Sequence, residues 1–438
     1  MGIKSYMLIV LCLLSTCFIQ LSIGAPSRRA DGSGIKLNDG EVLYEGDIIL
    51  TKEQAAAMKD SSRAKRQVVL NGLRWPDDTV NYYYDSNMGE WGILFMETAF
   101  EYISSRTCIR FIRNETAPSK IRVSSDRGCS SHIGYQPQWQ DTYQSLFFSD
   151  GCLRFGIAVH ETMHALGVWH EQNRYDRDLY LNLSNDSKSF AGREGDFKLQ
   201  STSNTFNPTP FDYASVMLYG TDEMGEGTIG PKNMDYKHTM GNKKVSFYDM
   251  AIINRYYQCS RKCSTQLECK NGGYTNPANC NVCNCPNGFE GALCDQEPVD
   301  KVSHVATSSW STNTVEYGDT KGATSIKYYY KYVLISAPIG KTVEIKITKL
   351  EKYDCYNGCI WNGVEIKSGD PRNSAPIFCC DNVLNRTRTF KPKRNPAIIE
   401  LYSNYGPNIV TYEYRYIDED FTLGPKTTNG YDCFEYYE

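Results

Sequence analysis

Three of the chain's six histidines, His160, His164 and His170, fall within eleven residues, and Glu161 directly follows the first of them. Four apart on a helix, His160 and His164 project their imidazoles from one face, one turn apart, and can share a metal ion. Glu161 lies beside them, able to reach a water at that ion without ligating it. Gly167 follows, where a helix can end and the chain turn back. His170 is then placed to supply a third nitrogen from the returning segment. Zinc fits this donor set best, because three neutral imidazoles with an open position describe a catalytic site, and zinc lowers the pKa of a water it binds toward neutrality. Glu161 would accept the proton from that water and later pass it to a departing amine. The bland alternative is a buried helix with satisfied histidines; clustering at ligand spacing, with a glutamate in the base position, argues against coincidence. His132, His238 and His304 lack such company and default to structural or surface roles.

Residues 154–167 read as the helix that carries this pattern, with Ile157, Val159, Met163 and Leu166 available for burial. Residues 90–106 place Ile93, Leu94, Met96, Phe100 and Ile103 at helical spacing. Residues 79–84 look like a strand, and 108–112 and 120–124 alternate as strands do. Two helices flanking a mixed sheet predict an α+β domain between Gln67 and Cys259.

At 438 residues the chain is too long for one ordinary domain. A net charge of −4 carries no basic excess, so neither nucleic acid nor an anionic membrane surface is an expected partner. Residues 1–24 read as a signal peptide: Lys4 gives a basic start, 7–14 are almost all apolar, and Ser22 and Gly24 sit at −3 and −1 of a cut before Ala25. The apolar run is too short for a comfortable membrane span, and no second run of that kind follows. Removing Cys12 and Cys17 from seventeen cysteines leaves fifteen, which implies an oxidising, extracellular setting. Sequons at Asn114, Asn182, Asn185 and Asn385 agree with export. Residues 25–66 are polar and end in Arg63-Ala64-Lys65-Arg66, whose basic first and fourth positions suit the acidic pockets of secretory convertases. They read as a propeptide cut after Arg66.

Cysteine density divides the remainder. Cys108, Cys129, Cys152 and Cys259 are spread over a long stretch, six follow between Cys263 and Cys294, and five lie between Cys355 and Cys433. Residues 263–294 hold almost no candidate core, so their six cysteines must stabilise them. From 297 to 420, strand patterns at 326–335, 342–350, 363–367 and 398–402 predict a β-sandwich, and 421–438 a tail.

The run from His160 to Glu171 resembles the metzincin pattern H-E-x-x-H-x-x-G-x-x-H, and the Glu directly after the third histidine narrows the resemblance to the astacins. Ser215-Val216-Met217-Leu218-Tyr219 resembles the astacin Met-turn. The resemblance implies that Met217 lies under the metal. It makes Tyr219 a fifth, labile ligand that swings away to stabilise the oxyanion of the tetrahedral intermediate. Tyr44-Glu45-Gly46-Asp47 resembles the F-x-G-D segment of astacin proforms, with Tyr for Phe, which makes Asp47 the ligand that blocks the latent site. Glu171 is expected to pair with the new amino terminus, although here that residue would be Gln67, which can cyclise and lose its charge.

The same resemblance implies bridges Cys108–Cys259 and Cys129–Cys152, and makes 144–148 the edge strand along which substrate backbone lies. Cys269-Lys270-Asn271-Gly272-Gly273 and Cys283-Asn284-Cys285 resemble an EGF-like module, with Tyr274 in place of its usual third cysteine; only Cys285–Cys294 follows as a pair. Gly363-Val364-Glu365-Ile366-Lys367-Ser368-Gly369 resembles a CUB domain, whose five cysteines leave one free or intermolecular. The expected whole is multidomain: an α+β metzincin catalytic domain at 67–259, a small disulfide-rich EGF-like module at 260–296 and an all-β CUB-like sandwich at 297–420. It implies a secreted zinc endopeptidase, made as a zymogen with one Zn2+, that hydrolyses extracellular or matrix proteins. The EGF-like and CUB regions would place it on matrix or protein partners. A non-catalytic relative would have lost Glu161 or a histidine, and every one is present.

Overall fold

The computed structural model describes residues 41–59, 74–184, 197–200, 207–222, 227–319 and 325–418. The 1–24 leader, Arg66, Gln67, Asn185 and Cys433 lie outside the described residues.

The first body is built on a seven-stranded sheet. Its strands are β1 (Val42–Tyr44), β2 (Ile48–Leu50), β3 (Thr79–Tyr84), β4 (Arg110–Arg113), β5 (Ile121–Ser124), β6 (Cys129–His132) and β7 (Gln144–Phe148). Their order is β1-β2-β6-β7-β5-β3-β4, with β6–β7 and β1–β2 antiparallel and the other pairs parallel. Helices α2 (Glu90–Ser104) and α3 (Phe155–Ala165) cover the sheet, while α1 (Lys52–Lys59) follows β2. Met96, Phe100 and Ile103 of α2 share one core with Val80, Val123 and Leu146 of the sheet and Val159 and Met163 of α3. Farther along, β8 (Leu181–Leu183) and β9 (Ile229–Pro231) form a separate antiparallel pair.

The placement of β7 corrects an expectation. Residues 144–148 are not an edge: β7 lies between β5 and β6, and all five of its residues are buried. Gln-Ser-Leu-Phe-Phe is a short run covered on both faces, which marks an interior strand rather than a rim. Without the β1–β2 hairpin β6 would be the rim of the sheet; β2 adds to it in parallel, Ile48 opposite Ser131 and Ile49 opposite His132.

A helix the periodicity left unread, α4 (Phe247–Tyr256), follows the Met-turn region. Ser246 caps it reciprocally with Asp249, each side chain taking the other's backbone N–H. Cys108–Cys259 and Cys129–Cys152 bridge this body. In 263–294 the small hairpin of β10 (Tyr274–Thr275) and β11 (Cys283–Asn284) carries Cys263–Cys280, Cys269–Cys283 and Cys285–Cys294, so two pairs join the single one expected from sequence.

Residues 301–418 form two facing sheets. One is ordered β12-β14-β18-β16-β17, from Lys301–Val305, Tyr329–Ser336, Ala397–Ser403, Asn362–Lys367 and Ile377–Phe378. The other is β13-β19-β15, from Ser311–Tyr317, Asn408–Asp418 and Lys341–Glu351. Val333, Ile345, Val364, Ile399, Leu401 and Val410 interdigitate between them. The adjacent Cys379 and Cys380 go to different partners, Cys359 and Cys355. No helix among the described residues is long and apolar enough to cross a membrane.

Candidate metal centre

Helix α3 is buried nearly all round, because it lies between the sheet and the chain after the Met-turn. It ends in a Schellman motif: Gly167, with φ +98, donates its N–H to His164 O (2.8 Å), and Val168 donates to Met163 O (2.9 Å). A side chain at Gly167 would strain that turn and meet the Tyr256 ring at 3.2 Å. The reversal carries His170 back over the helix, its ring 4.7 Å from that of His164.

The outer nitrogens of the three rings decide what the inner ones can do. His160 Nδ1 lies 2.7 Å from Val216 O and His164 Nδ1 lies 2.8 Å from Val168 O. A carbonyl only accepts, so both Nδ1 atoms carry the proton and both Nε2 atoms present lone pairs. Those two Nε2 atoms lie only 3.0 Å apart. Two lone pairs so close repel unless a cation sits between them, and the donor set fits zinc. Asp47 completes it: its carboxylate oxygens lie 3.4 Å from His160 Nε2, 3.8 Å from His164 Nε2 and 3.2 Å from His170 Nε2. One ligand atom from each of the four residues falls within 4.8 Å of all the others. His170 Nε2 and Asp47 Oδ1 are buried and make no hydrogen bond, as expected of atoms that face a common point.

Asp47 arrives from the β1–β2 hairpin, whose turn places Glu45 and Gly46 at φ 49 and 87. Around it, Ile48 and Leu50 pack on Ile133 and Trp169, and Tyr44 meets Trp169 edge-on at 6.1 Å. Burial pushes the Asp47 carboxyl up, but the charge of His170 beside it outweighs burial and holds it well below the usual carboxylate range.

Glu45 is the residue the sequence did not mark. Its Oε2 lies 2.8 Å from His170 Nδ1 and its Oε1 accepts from Asn173 Nδ2 at 2.8 Å, so it orients the third imidazole from outside. Burial pushes it up to about 7, and its hydrogen bond with His170 opposes that rise. The only signal was its place in a turn one residue from the Gly46-Asp47 pair.

Glu161 is buried on α3 between the two helical histidines. The Tyr219 ring lies tilted against that of His170, centroids 4.7 Å apart, and its hydroxyl donates to the Glu45 carbonyl. Met217 is buried in the same core as α3, and its carbonyl accepts from Glu171 N at 3.0 Å. The Glu171 carboxylate accepts from Asp212 N at 3.0 Å and faces Arg174 at 3.3 Å, and burial pushes it up to about 7. It lines a small cavity of 50 Å³ with Trp169, Gln200 and Ile252. His132 is a buried structural residue between Ser145 and Glu41. Asn114, Asn182 and Asn385 are exposed.

The Met-turn is held by a second unmarked residue. Asp249 accepts from Ser215 Oγ at 2.6 Å and from Val216 N at 3.2 Å. A Ser-x-x-Asp capping pattern at 246–249 was the available signal.

Comparison with known proteins agrees with this centre. The profile of the Astacin peptidase family matches residues 68–258. Zinc metalloproteinase nas-17 of Caenorhabditis elegans is 39% identical, with 97% of this chain and 98% of the relative covered. Zinc metalloproteinase nas-16 of the same organism is 41% identical, over 78% of this chain and 74% of the relative. Among solved structures, high choriolytic enzyme 1, a hatching enzyme zinc-protease of Oryzias latipes, is 29% identical over 42% of this chain and 92% of its own, with a TM-score of 0.36. Three imidazoles converging on one point, an astacin profile over the body that holds them and full-length similarity to a zinc metalloproteinase establish that the chain belongs to the astacin family and is a zinc metalloendopeptidase.

Proposed function

We propose that the chain is exported as a zymogen, is activated by cleavage after Arg66, and then hydrolyses internal peptide bonds of extracellular or matrix proteins. The observation that carries this reading is Asp47, a carboxylate from the N-terminal arm set against all three Nε2 atoms. A ligand from outside the 68–258 match occupies the side from which a substrate carbonyl and water would enter. Removing residues up to Arg66 withdraws it together with Glu45.

In the open site the metal, when bound, acidifies water and polarises a carbonyl oxygen. Glu161 accepts the proton of the attacking water and returns it to the leaving amine. Tyr219, released from the Glu45 carbonyl, donates its hydroxyl to the oxygen on which negative charge develops. Substrate backbone adds to β6, the strand that β2 covers in the uncut chain. The 263–294 disulfide unit acts as an EGF-like module and the 301–418 sandwich as a CUB-like domain, both suited to protein contacts outside the cell.

The test compares uncut chain, chain trimmed after Arg66 and uncut Asp47→Ala on a generic protein substrate. Trimmed chain cleaves, uncut chain is silent, and Asp47→Ala restores cleavage without the cut. In trimmed chain, Glu161→Gln retains zinc and loses about 10²–10⁴ in kcat. Cleavage that survives o-phenanthroline or Glu161→Ala sinks the chemistry; an uncut chain as active as the trimmed one sinks the latency.

A further inference from the structure

One buried charge belongs to the first body but finds its carboxylates outside it. Lys244, just before α4, points its ammonium into the sandwich, 2.6 Å from Glu365 on β16 and 2.6 Å from Glu400 on β18. Those two glutamates are paired across the strands, and Lys367 completes a cluster of two cations and two anions, at 2.7 Å from Glu365 and 3.3 Å from Glu400. All four side chains are buried. An ammonium so enclosed is tolerated only with its carboxylates in place, so the two bodies have one relative position in which Lys244 is satisfied.

The segment bearing Lys244 also has backbone contacts on three sides. A Cβ on Gly156, in the first turn of α3, would lie 2.1 Å from Lys243 O. One on Gly241 would lie 2.7 Å from the Cα of Gly220, directly after Tyr219. One on Gly358, in the sandwich, would lie 2.5 Å from Gly241 O. With no side chain to yield at these three points, a shift of the segment is passed on rather than absorbed. Asn242 pins it further, donating to Gly358 O at 2.6 Å and to the Tyr402 hydroxyl at 2.8 Å. Two residues beyond Lys244, Ser246 caps α4 with Asp249, which holds Ser215 and Val216. The Val216 carbonyl is the atom that receives His160 Nδ1.

We propose that residues 241–249 form a bracket through which the β-sandwich positions the metal helix and the Met-turn, with Lys244 and Asn242 as its positioning residues. The sandwich is then a structural part of the zinc site, whatever proteins it also binds. The idea does not depend on the zymogen reading, because it rests on the contacts of 241–249 with α3, the Met-turn and the sandwich.

The experiment uses full-length chain loaded with cobalt in place of zinc. It reads the visible cobalt spectrum and the rate of metal loss to a chelator. Glu365→Gln with Glu400→Gln alters the bracket from the sandwich side alone. It is expected to change the spectrum and to speed metal loss about tenfold or more, the scale at which outer-sphere supports tune metal affinity. Tyr402→Phe, which removes one acceptor for Asn242, moves both readouts the same way by less. Ile345→Val weakens the sandwich core away from the bracket and leaves both unchanged while lowering the thermal midpoint. A folded double variant with the wild-type spectrum and metal-loss rate overturns the proposal. Should the double variant fail to fold, Tyr402→Phe decides: wild-type behaviour on both readouts overturns it, and a shift in both supports it.

Discussion

Carboxylates are buried against nitrogen cations in two regions of this molecule, and the two contacts are of opposite kind. At the metal centre Asp47 and Glu45 face three imidazoles, two of which spend their Nδ1 protons on backbone carbonyls. Those rings are neutral as ligands, so much of the positive charge that holds Asp47 is borne by zinc, which can be removed. At the sandwich, Glu365 and Glu400 face Lys244 and Lys367, whose charges are covalent parts of the chain. The arm carrying Asp47 is anchored by two strands of three residues each, whereas the sandwich brings two whole sheets to its contact. The first contact is therefore conditional and the second permanent.

The largest effect should come from unbalancing the permanent contact. Lys244→Met leaves two glutamates with one lysine, and the sandwich-to-body contact is expected to weaken by about 3–5 kcal/mol, read as a lower urea midpoint of the full chain. A loss below the range of an exposed pair would erase the distinction between the regions. Removing the metal from uncut chain should act mainly on the other side. Hydrogen exchange at Ile48–Leu50 is expected to rise sharply, while that at Ala397–Ser403 rises by far less, no more than the coupling through the bracket allows. Glu45→Gln keeps an acceptor for Asn173 but loses the charged partner of His170, so a loss of about 1 kcal/mol in docking of the arm is expected, measured by exchange at the same residues.

Acid gives the smallest change and the cleanest contrast. Burial pushes the Glu365 carboxyl up, but Lys244 and Lys367 outweigh it and hold the group at about 2, below its ordinary value of 4.5. A carboxyl depressed on folding contributes stability that is complete above its unfolded pKa and is lost as pH falls through the folded one. Burial would depress Lys244, yet Glu365 and Glu400 raise it well above 10.5, so its contribution is complete below that value. Protection of β18 relative to the intrinsic exchange rate at each pH should stay flat between pH 5 and pH 10 and fall only as pH drops from about 4.5 toward 2. A loss of protection near neutrality would show that the cluster is not ionised as drawn.

The legible parts of the site were those whose spacing is local. His160 and His164 could be placed on one helical face because their separation is one turn, and the helix's end could be placed because Gly167 takes φ +98. Residues 79–84 and 90–106 were readable for the same reason, and β3 and α2 begin where their periodicities do. The edge expectation for β7 came from the resemblance alone, and its burial on both faces leaves no alternation in the sequence that could have checked it. Glu45 carried no periodic signal, since its role depends on a hairpin turn meeting a histidine 125 residues away. Helix α4 was missed although its capping box was in the sequence, because its buried face includes the polar Asp249 and Asn254 beside Met250 and Ile253, which blurs the apolar pattern.

Residue types and their spacing alone determined that a metal could be held, and by which three nitrogens. Ligand chemistry is set by side chains whose relative positions a single helix and its reversal nearly dictate. Tertiary structure decided which carboxylate completes the set, which strand receives the N-terminal hairpin and what holds the Met-turn. It alone joined Lys244 to two glutamates 121 and 156 residues away, an encounter no local pattern encodes because it exists only once both sheets and the metal body have folded.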